Sequence, residues 1–279
     1  MVLCYHNNTF GPVEECRLPV TDLIIQRGVG VFESIRTYDK HTFAMGPHLD
    51  RLAESARLSG IAADKILSQL PDIINEGLRH PDAPEGDMLI KPFVTGGLIN
   101  NRGHFPAPDF FVIFEEMHPI APETIKNGIT LQPSYLERPF PLIKTTSYLT
   151  GLIPMRDAPS NVYETLYCCG GEITESLRSS FYLCIDGKLI TAPVGKVLRG
   201  VTREIILTLA SENGFQIEER CPHMDELPNA QEAFISGSAK EVLSVVKVGT
   251  QKIGLGRPGP VAKHIHKLFL SNISRWLDK

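Results

Sequence analysis

Two prolines within four residues, in His118-Pro119-Ile120-Ala121-Pro122, constrain the fold of this chain more than any other feature. Proline fixes φ and lacks an N–H, so neither a helix nor a strand ladder runs through such a segment. The stiffened stretch reads as a link between two folded parts. The expected division is an N-terminal α/β domain over 1–117, a linker over 118–124 and a C-terminal α/β domain over 125–279. A chain of 279 residues has room for two modest domains of that kind.

Before the linker, strands and helices mix. Val31 to Tyr38 alternates apolar and polar side chains with the period of a half-buried strand, and Asp39-Lys40-His41 supplies a turn. From Pro47 the period changes. Leu49, Leu52, Ala53 and Ala56 share a helical face that Gly60 can close. A second helical stretch carries Ile66, Leu67, Leu70, Ile73 and Ile74 across Pro71. Residues 88–95 and 110–114 read as strands.

After the linker, 164–169 and 172–174 are predicted to pair about Gly170-Gly171. A clearer hairpin joins 181–185 to 188–191, because Asp186-Gly187 suits a type I′ turn. Residues 204–212 are predicted helical and closed by Asn213-Gly214. Residues 233–236 and 242–248 read as strands, and 261–277 carries an apolar helical stripe ending at Trp276. The pattern is that of a mixed α/β chain.

Acids and bases are interspersed and the formal net charge is −4, which argues against a nucleic-acid or membrane-surface partner. No apolar run is long enough to span a membrane, and the start lacks a signal-peptide pattern. The six cysteines form no Cys-x-x-Cys and have no paired-histidine companion, so no metal site is expected. A soluble, reduced, cytoplasmic protein is the expectation. Gly254-Leu-Gly256-Arg-Pro-Gly259 matches the dinucleotide fingerprint only as a bare pattern. A proline lies inside it and too little chain follows for a βαβ unit, so it is predicted to be a loop.

Four pieces carry chemistry. Lys144 follows an apolar approach, Pro139-Phe140-Pro141-Leu142-Ile143, and a partly desolvated amine can bond to an aldehyde. Glu175, in Ile-Thr-Glu-Ser, is a carboxylate between two strand segments. Gly200-Val201-Thr202-Arg203 opens a helix: glycine lets an anion approach, Thr202 can cap the helix beginning near Glu204, and the first N–H groups point outward. Gly237-Ser238 offers further amide and hydroxyl donors. Each has an ordinary explanation as a surface lysine, a turn acid, a capped helix or a turn. Together they are the groups that pyridoxal phosphate needs: an amine for its aldehyde, a carboxylate for its ring nitrogen, and donors for its phosphate.

In this order the residues resemble the fold-type IV pyridoxal-phosphate enzymes, or class IV aminotransferases. That family includes branched-chain and D-amino-acid aminotransferases and aminodeoxychorismate lyase. The resemblance runs through Gly28-Val-Gly-Val-Phe-Glu-Ser-Ile-Arg36, His48-Leu-Asp-Arg-Leu52, Ile143-Lys144, Ile173-Thr-Glu175, Leu198-Arg-Gly-Val-Thr-Arg203, Phe234-Ile-Ser-Gly-Ser-Ala-Lys-Glu241 and Gly256-Arg-Pro-Gly-Pro260. It implies a two-domain D-amino-acid aminotransferase-like fold, with pyridoxal 5′-phosphate between the domains of a homodimer. Residue by residue, Lys144 matches the Schiff-base lysine and Glu175 the partner of the pyridine nitrogen. Arg51 matches the phosphate-gripping arginine, with Val201, Thr202 and Ser238 completing the cup. Leu198 matches an apolar residue against the ring.

The chain also departs from the pattern. Glu175-Ser-Leu-Arg-Ser-Ser180 puts Leu177 and Arg178 where small residues often line the cofactor, and Arg27 stands where branched-chain enzymes carry an aromatic.

The resemblance implies an aminotransferase that moves an amino group between an amino acid, of the branched-chain L- or D-amino-acid type, and a 2-oxo acid, with Lys144 as covalent partner and proton carrier. The alternative is an aminodeoxychorismate lyase that eliminates pyruvate and gives p-aminobenzoate. A binding protein that kept the fold is the third reading, disfavoured by the intact Lys144, Glu175 and Arg51. Phe32 and Lys91 are substrate candidates. So are Arg102 and His104, in an Arg-x-His element like the one with which D-amino-acid enzymes trap the substrate carboxylate. Arg102 has the bidentate fork, whereas Lys91 is a point charge.

Overall fold

The structure, a computed structural model, describes residues 2–98 and 104–278. Its contacts divide into two compact units. One comprises Met1–His118, Ile143–Ser147 and Arg275–Lys279; the other comprises Pro119–Leu142 and Tyr148–Ser274.

The first unit contains β1 (Leu3–His6), β2 (Thr9–Pro12), α1 (Leu23–Arg27), β3 (Gly30–Phe32), β4 (Ile35–Tyr38), β5 (His41–Thr42), α2 (Met45–Ser59), α3 (Asp64–Leu67), α4 (Leu70–Arg79), β6 (Met88–Thr95) and β7 (Phe110–Glu116). The strands run in the order β2-β1-β7-β6-β4-β5, with β3 also paired to β6. The predicted strand over 31–38 is two strands, broken at Glu33-Ser34. The predicted second helix is also two, with Pro71 in the first turn of α4, where its missing N–H removes no helical bond. Leu52, Ala56, Leu70, Ile73 and Ile74 of the helices pack on Leu3, Ile35, Met88, Ile90, Val112 and Phe114 of the sheet. At Gly77 a Cβ would lie 2.2 Å from the Phe114 ring, so only glycine lets α4 come this close.

Lys144 lies in a segment that packs with the first unit, although it follows the linker in sequence. Ile143 packs against the first unit's core, and Thr145 bridges Val31. The chain end returns there too. Ala44 N–H donates to Trp276 O at 2.8 Å and Met45 N–H to Asp278 Oδ2 at 2.8 Å. The C-terminal helix, α8 (Pro260–Ser271), therefore stops before Trp276, short of the predicted stripe.

The second unit contains α5 (Pro122–Asn127), β8 (Ile129–Ser134), α6 (Leu149–Arg156), β9 (Val162–Tyr167), β10 (Glu175–Ser176), β11 (Ser179–Ile185), β12 (Lys188–Thr191), α7 (Val201–Glu212), β13 (Gln216–Glu219), β14 (Glu232–Gly237), β15 (Glu241–Val248) and β16 (Gln251–Lys252), before α8. Its sheet runs β10-β9-β8-β15-β14-β11-β12-β13, with β16 on β15. Asp186 (φ 49°) and Gly187 (φ 78°) make the predicted primed turn between β11 and β12. The hairpin partner of β9 is β10, starting one residue after the predicted 172–174, whose Thr174 N–H still donates to Tyr167 O at 3.0 Å; residues 169–171 form a 3-10 turn first. Gly254–Gly259 is a loop, as predicted. Leu131, Leu166, Phe181, Leu183, Ile235 and Val245 fill the core of this unit.

Candidate functional site

Lys144 is held through its backbone. Phe32 N–H donates to Lys144 O at 3.1 Å, and Thr146 N–H donates to Gly30 O at 3.0 Å. Lys144 N–H donates to Ser55 Oγ at 3.1 Å. The ammonium lies 4.7 Å above the Phe32 ring, which itself stacks on Phe93 at 5.1 Å. The amine is thus fixed at its root, half-buried and set over an aromatic face. Gly30 makes room for this pairing, since a Cβ there would meet Ile24 at 2.8 Å and Thr146 at 3.3 Å.

One stripe of α2 faces the same place. His48, Arg51 and Ser55 lie three and four residues apart, interleaved with buried Leu52 and Ala56. Glu33, fully buried at the β3–β4 break, binds two of them. Arg51 Nε donates to its Oε1 at 2.7 Å and Arg51 Nη2 to its Oε2 at 2.8 Å. His48 Nδ1 donates to Oε2 at 2.8 Å. Burial by itself would raise Glu33, but the Arg51 guanidinium and the His48 hydrogen bond reverse that and hold its carboxyl well below the usual carboxylate range. Burial lowers His48, and the Arg51 and Lys144 charges lower it further against the upward pull of Glu33. The imidazole is therefore neutral.

In the second unit, Glu175 is buried. Arg138 Nη1 donates to its Oε1 at 2.6 Å and Leu198 N–H to the same oxygen at 3.3 Å. Ser180 pairs with Glu175 across the β10–β11 turn, and a Cβ on Gly200 would come within 2.9 Å of Ser180 Oγ. Gly200 is the N-cap of α7, in extended conformation and with no side-chain cap. The helix begins at Val201, earlier than predicted, and Thr202 sits buried in its first turn rather than capping it. The close approach of Ser180 explains the shift: the cap position admits no side chain, so the first-turn N–H groups of Val201 and Thr202 meet no capping oxygen of their own chain segment. Ser238 follows β14 in the tight turn to β15, next to Gly237.

Behind the β10–β11 turn lies a second ionic cluster. Ser176 donates to Glu164 Oε1, and Lys240 Nζ donates to Glu164 Oε2 at 2.6 Å and to Ser179 Oγ at 2.7 Å. Burial would raise Glu164; Lys240 and the Ser176 hydrogen bond hold it low instead.

The depressed Glu33, His48 and Glu164 make the fold acid-labile. Unfolded, they regain values of 4.5, 6.5 and 4.5. Their stabilisation is complete above the histidine value and drains as pH falls. The unfolded imidazole takes up a proton first, and the unfolded carboxylates follow, while the folded groups resist both. The melting temperature should be flat between about pH 7 and 8, slope downward below that range and drop steeply below about pH 5. Differential scanning across that range tests this, and a melting temperature held down to about pH 4 contradicts it.

The predicted site residues are shared between the units: Phe32, Arg51 and Lys144 in the first; Glu175, Leu198, Val201, Thr202 and Ser238 in the second. Of the substrate candidates, Lys91 is engaged by Glu115 at 2.6 Å. Arg102 lies outside the described residues. His104 is exposed, beside a hollow of about 300 Å³ that Arg57, Gly60 and Asp64 also line. Sequence reasoning missed Glu33, His48, Ser55, Arg138 and the Glu164–Lys240 pair. The stripe at 48, 51 and 55 was the available signal. Arg138 offered none, since its partner is 37 residues away.

Residues 30–248 match the family model described as amino-transferase class IV. The D-alanine aminotransferase of Bacillus licheniformis is 30% identical over 93% of this chain and 93% of its own length. The branched-chain amino acid aminotransferase of Escherichia coli superposes with a TM-score of 0.86 at 25% identity, over 99% of this chain and 98% of its own. The branched-chain amino acid aminotransferase of T.th., solved with pyridoxamine 5′-phosphate, superposes with a TM-score of 0.88 at 23% identity, over 99% of this chain and 97% of its own.

Proposed function

The chain belongs to the class IV aminotransferases, and from this we propose that it moves the amino group of a branched-chain L-amino acid or a D-amino acid to a 2-oxo acid, with Lys144 as covalent anchor and proton carrier. The protein is a transferase of a family whose cofactor is pyridoxal 5′-phosphate. The residues fit that group. A half-buried amine, a buried carboxylate, a guanidinium aimed by a buried partner and an α7 start that no side chain caps are the donor set it requires. When bound, it supplies an electron sink for the pair left at the substrate Cα.

The rest is the work of this chain's side chains. Lys144 Nζ takes the Cα proton and delivers it on the other side of the transfer, which requires it to shed its charge. Glu175 holds a proton at the ring nitrogen, and Arg138 and Leu198 N–H keep its carboxylate in place. Arg51, with the N–H groups of Val201 and Thr202 and the Ser238 hydroxyl, binds the phosphate. Leu198 packs against the ring. The observation that carries this reading is the backbone clamp on Lys144: three hydrogen bonds of 3.0 to 3.1 Å place one amine with no rotation of its root.

The experiment is a panel of L- and D-alanine, L- and D-leucine and L- and D-glutamate with the loaded enzyme and a 2-oxo acid acceptor, scored by chiral chromatography. Amine transfer from one hand supports the reading and assigns that hand. No transfer from any, with p-aminobenzoate formed from aminodeoxychorismate, replaces it with the lyase.

The same reading makes the protein a homodimer. Support comes from the second unit, where Leu149 (66% exposed), Leu152 and Ile153 of α6 present apolar surface, and Tyr135 and Phe140 are exposed as well. A cytoplasmic location is supported by six cysteines that are all free. Among the described residues, no helix is long and apolar enough to cross a membrane.

A further inference from the structure

We propose that Arg178, at the tip of the β10–β11 turn, is the receptor for a carboxylate of the substrate; this rests on the aminotransferase reading above. The turn puts it beside two groups already given roles. Glu175 is three residues upstream on the same hairpin, and Gly237, neighbour of Ser238, would carry a Cβ only 3.3 Å from Arg178 O.

The charges around it do not balance. Arg138 is committed to Glu175 at 2.6 Å and Lys240 to Glu164 at 2.6 Å. Arg178 approaches the same Glu164 Oε2 through Nε at 3.4 Å, too long for a good hydrogen bond. Among the described residues of this cluster, three cations thus face two carboxylates. The surplus positive charge falls on the arginine, whose side chain is 56% exposed while its carboxylate neighbour is 1% exposed. The ion pair uses the Nε edge, so the Nη1–Nη2 edge is the part of the fork it does not use. That edge matches a carboxylate bidentately.

Buried Glu164, itself fixed by Lys240 and Ser176, anchors the guanidinium without consuming the fork. Tyr148 stands within electrostatic reach of Arg138, Arg178, Glu164 and Glu175, and burial keeps its phenol protonated, a donor on the same side. Lys91, by contrast, is already neutralised by Glu115. Two carboxylates suit Arg178: the α-carboxylate of any amino acid, or the distal one of an acidic amino acid.

The test is steady-state kinetics of the loaded enzyme and of R178Q and R178K, with L- and D-alanine and L- and D-glutamate. R178Q should raise KM about tenfold or more while kcat changes little, with the bound-cofactor absorbance and melting temperature retained. R178K should recover only part of the loss, because it restores charge without the fork. A rise for alanine and glutamate alike identifies the α-carboxylate; a rise for glutamate alone identifies the distal one. Unchanged KM for both overturns the proposal. A parent enzyme that transfers from no amino acid overturns the aminotransferase reading instead, so the two failures are distinguishable.

Discussion

Lys144→Ala reduces amine transfer by at least about 10⁴-fold and leaves the fold intact. The two halves of that expectation have separate origins. The hydrogen bonds of this segment with Ser55, Phe32 and Gly30 end on backbone atoms of residues 144 and 146, and alanine keeps them. The side chain is half-buried and rests on an aromatic face, so its loss changes stability by no more than about 1 kcal/mol. The chemistry loses both its covalent anchor and its proton carrier, and no second group within the clamp replaces them. Borohydride treatment of the loaded parent should fix the cofactor to the peptide carrying Lys144, as read by mass spectrometry. The variant should retain the cofactor non-covalently and give no modified peptide. Transfer within about tenfold of the parent would remove Lys144 from the role.

Glu33→Gln has the largest expected effect on stability and on cofactor binding. Glu33 is fully buried and accepts from Arg51 twice and from His48. An amide puts an NH2 in place of one acceptor oxygen where four donors converge, from Arg51 twice, His48 and the Ser34 N–H, and it removes the Glu33 charge beside the Arg51 guanidinium, which is 11% exposed. Breaking a buried pair in this way costs about 3–5 kcal/mol, a fall in melting temperature of roughly 10 °C for a chain of this size. Arg51 also loses the partner that aims it. Affinity for the cofactor should fall about 10- to 100-fold, measured by equilibrium dialysis below the melting range. A variant that melts within about 2 °C of the parent would show that the pair contributes little.

The sequence carried the β11–β12 hairpin because turn chemistry is local. Asp186-Gly187 needs nothing beyond its own backbone preference to announce a primed turn. It carried α2 for the same reason, since its apolar stripe has a helical period. What it did not carry depends on partners distant in the chain. Alternation alone made 31–38 one strand. In the fold, Glu33 turns inward to meet Arg51, 18 residues on, and breaks the ladder there. Thr202 reads as a helix cap by residue type, but Ser180 closes over Gly200 and moves the cap. Ser55 is buried and polar in the middle of a helix, a position propensity does not favour. Its reason is the Lys144 N–H, 89 residues later. Helical periodicity continued to Trp276, where the chain instead leaves α8 and pairs its backbone with Ala44. Lys144, Glu175 and Arg51 could be singled out through ordered motifs, whereas Ser55, Arg138 and Glu33, which hydrogen-bond to them, could not.

An aminotransferase carries the amino group on its cofactor between two acids, and this chain is expected to do so. The most direct measurement is a single half-turnover. The loaded enzyme is mixed with one ¹⁵N-labelled amino acid and no acceptor, and the 2-oxo acid released is counted against the number of chains. The expected amount equals the number of chains and no more, with the ¹⁵N recovered on a second 2-oxo acid when one is added. No 2-oxo acid from any amino acid of either hand, or continuous product release without an acceptor, would contradict it.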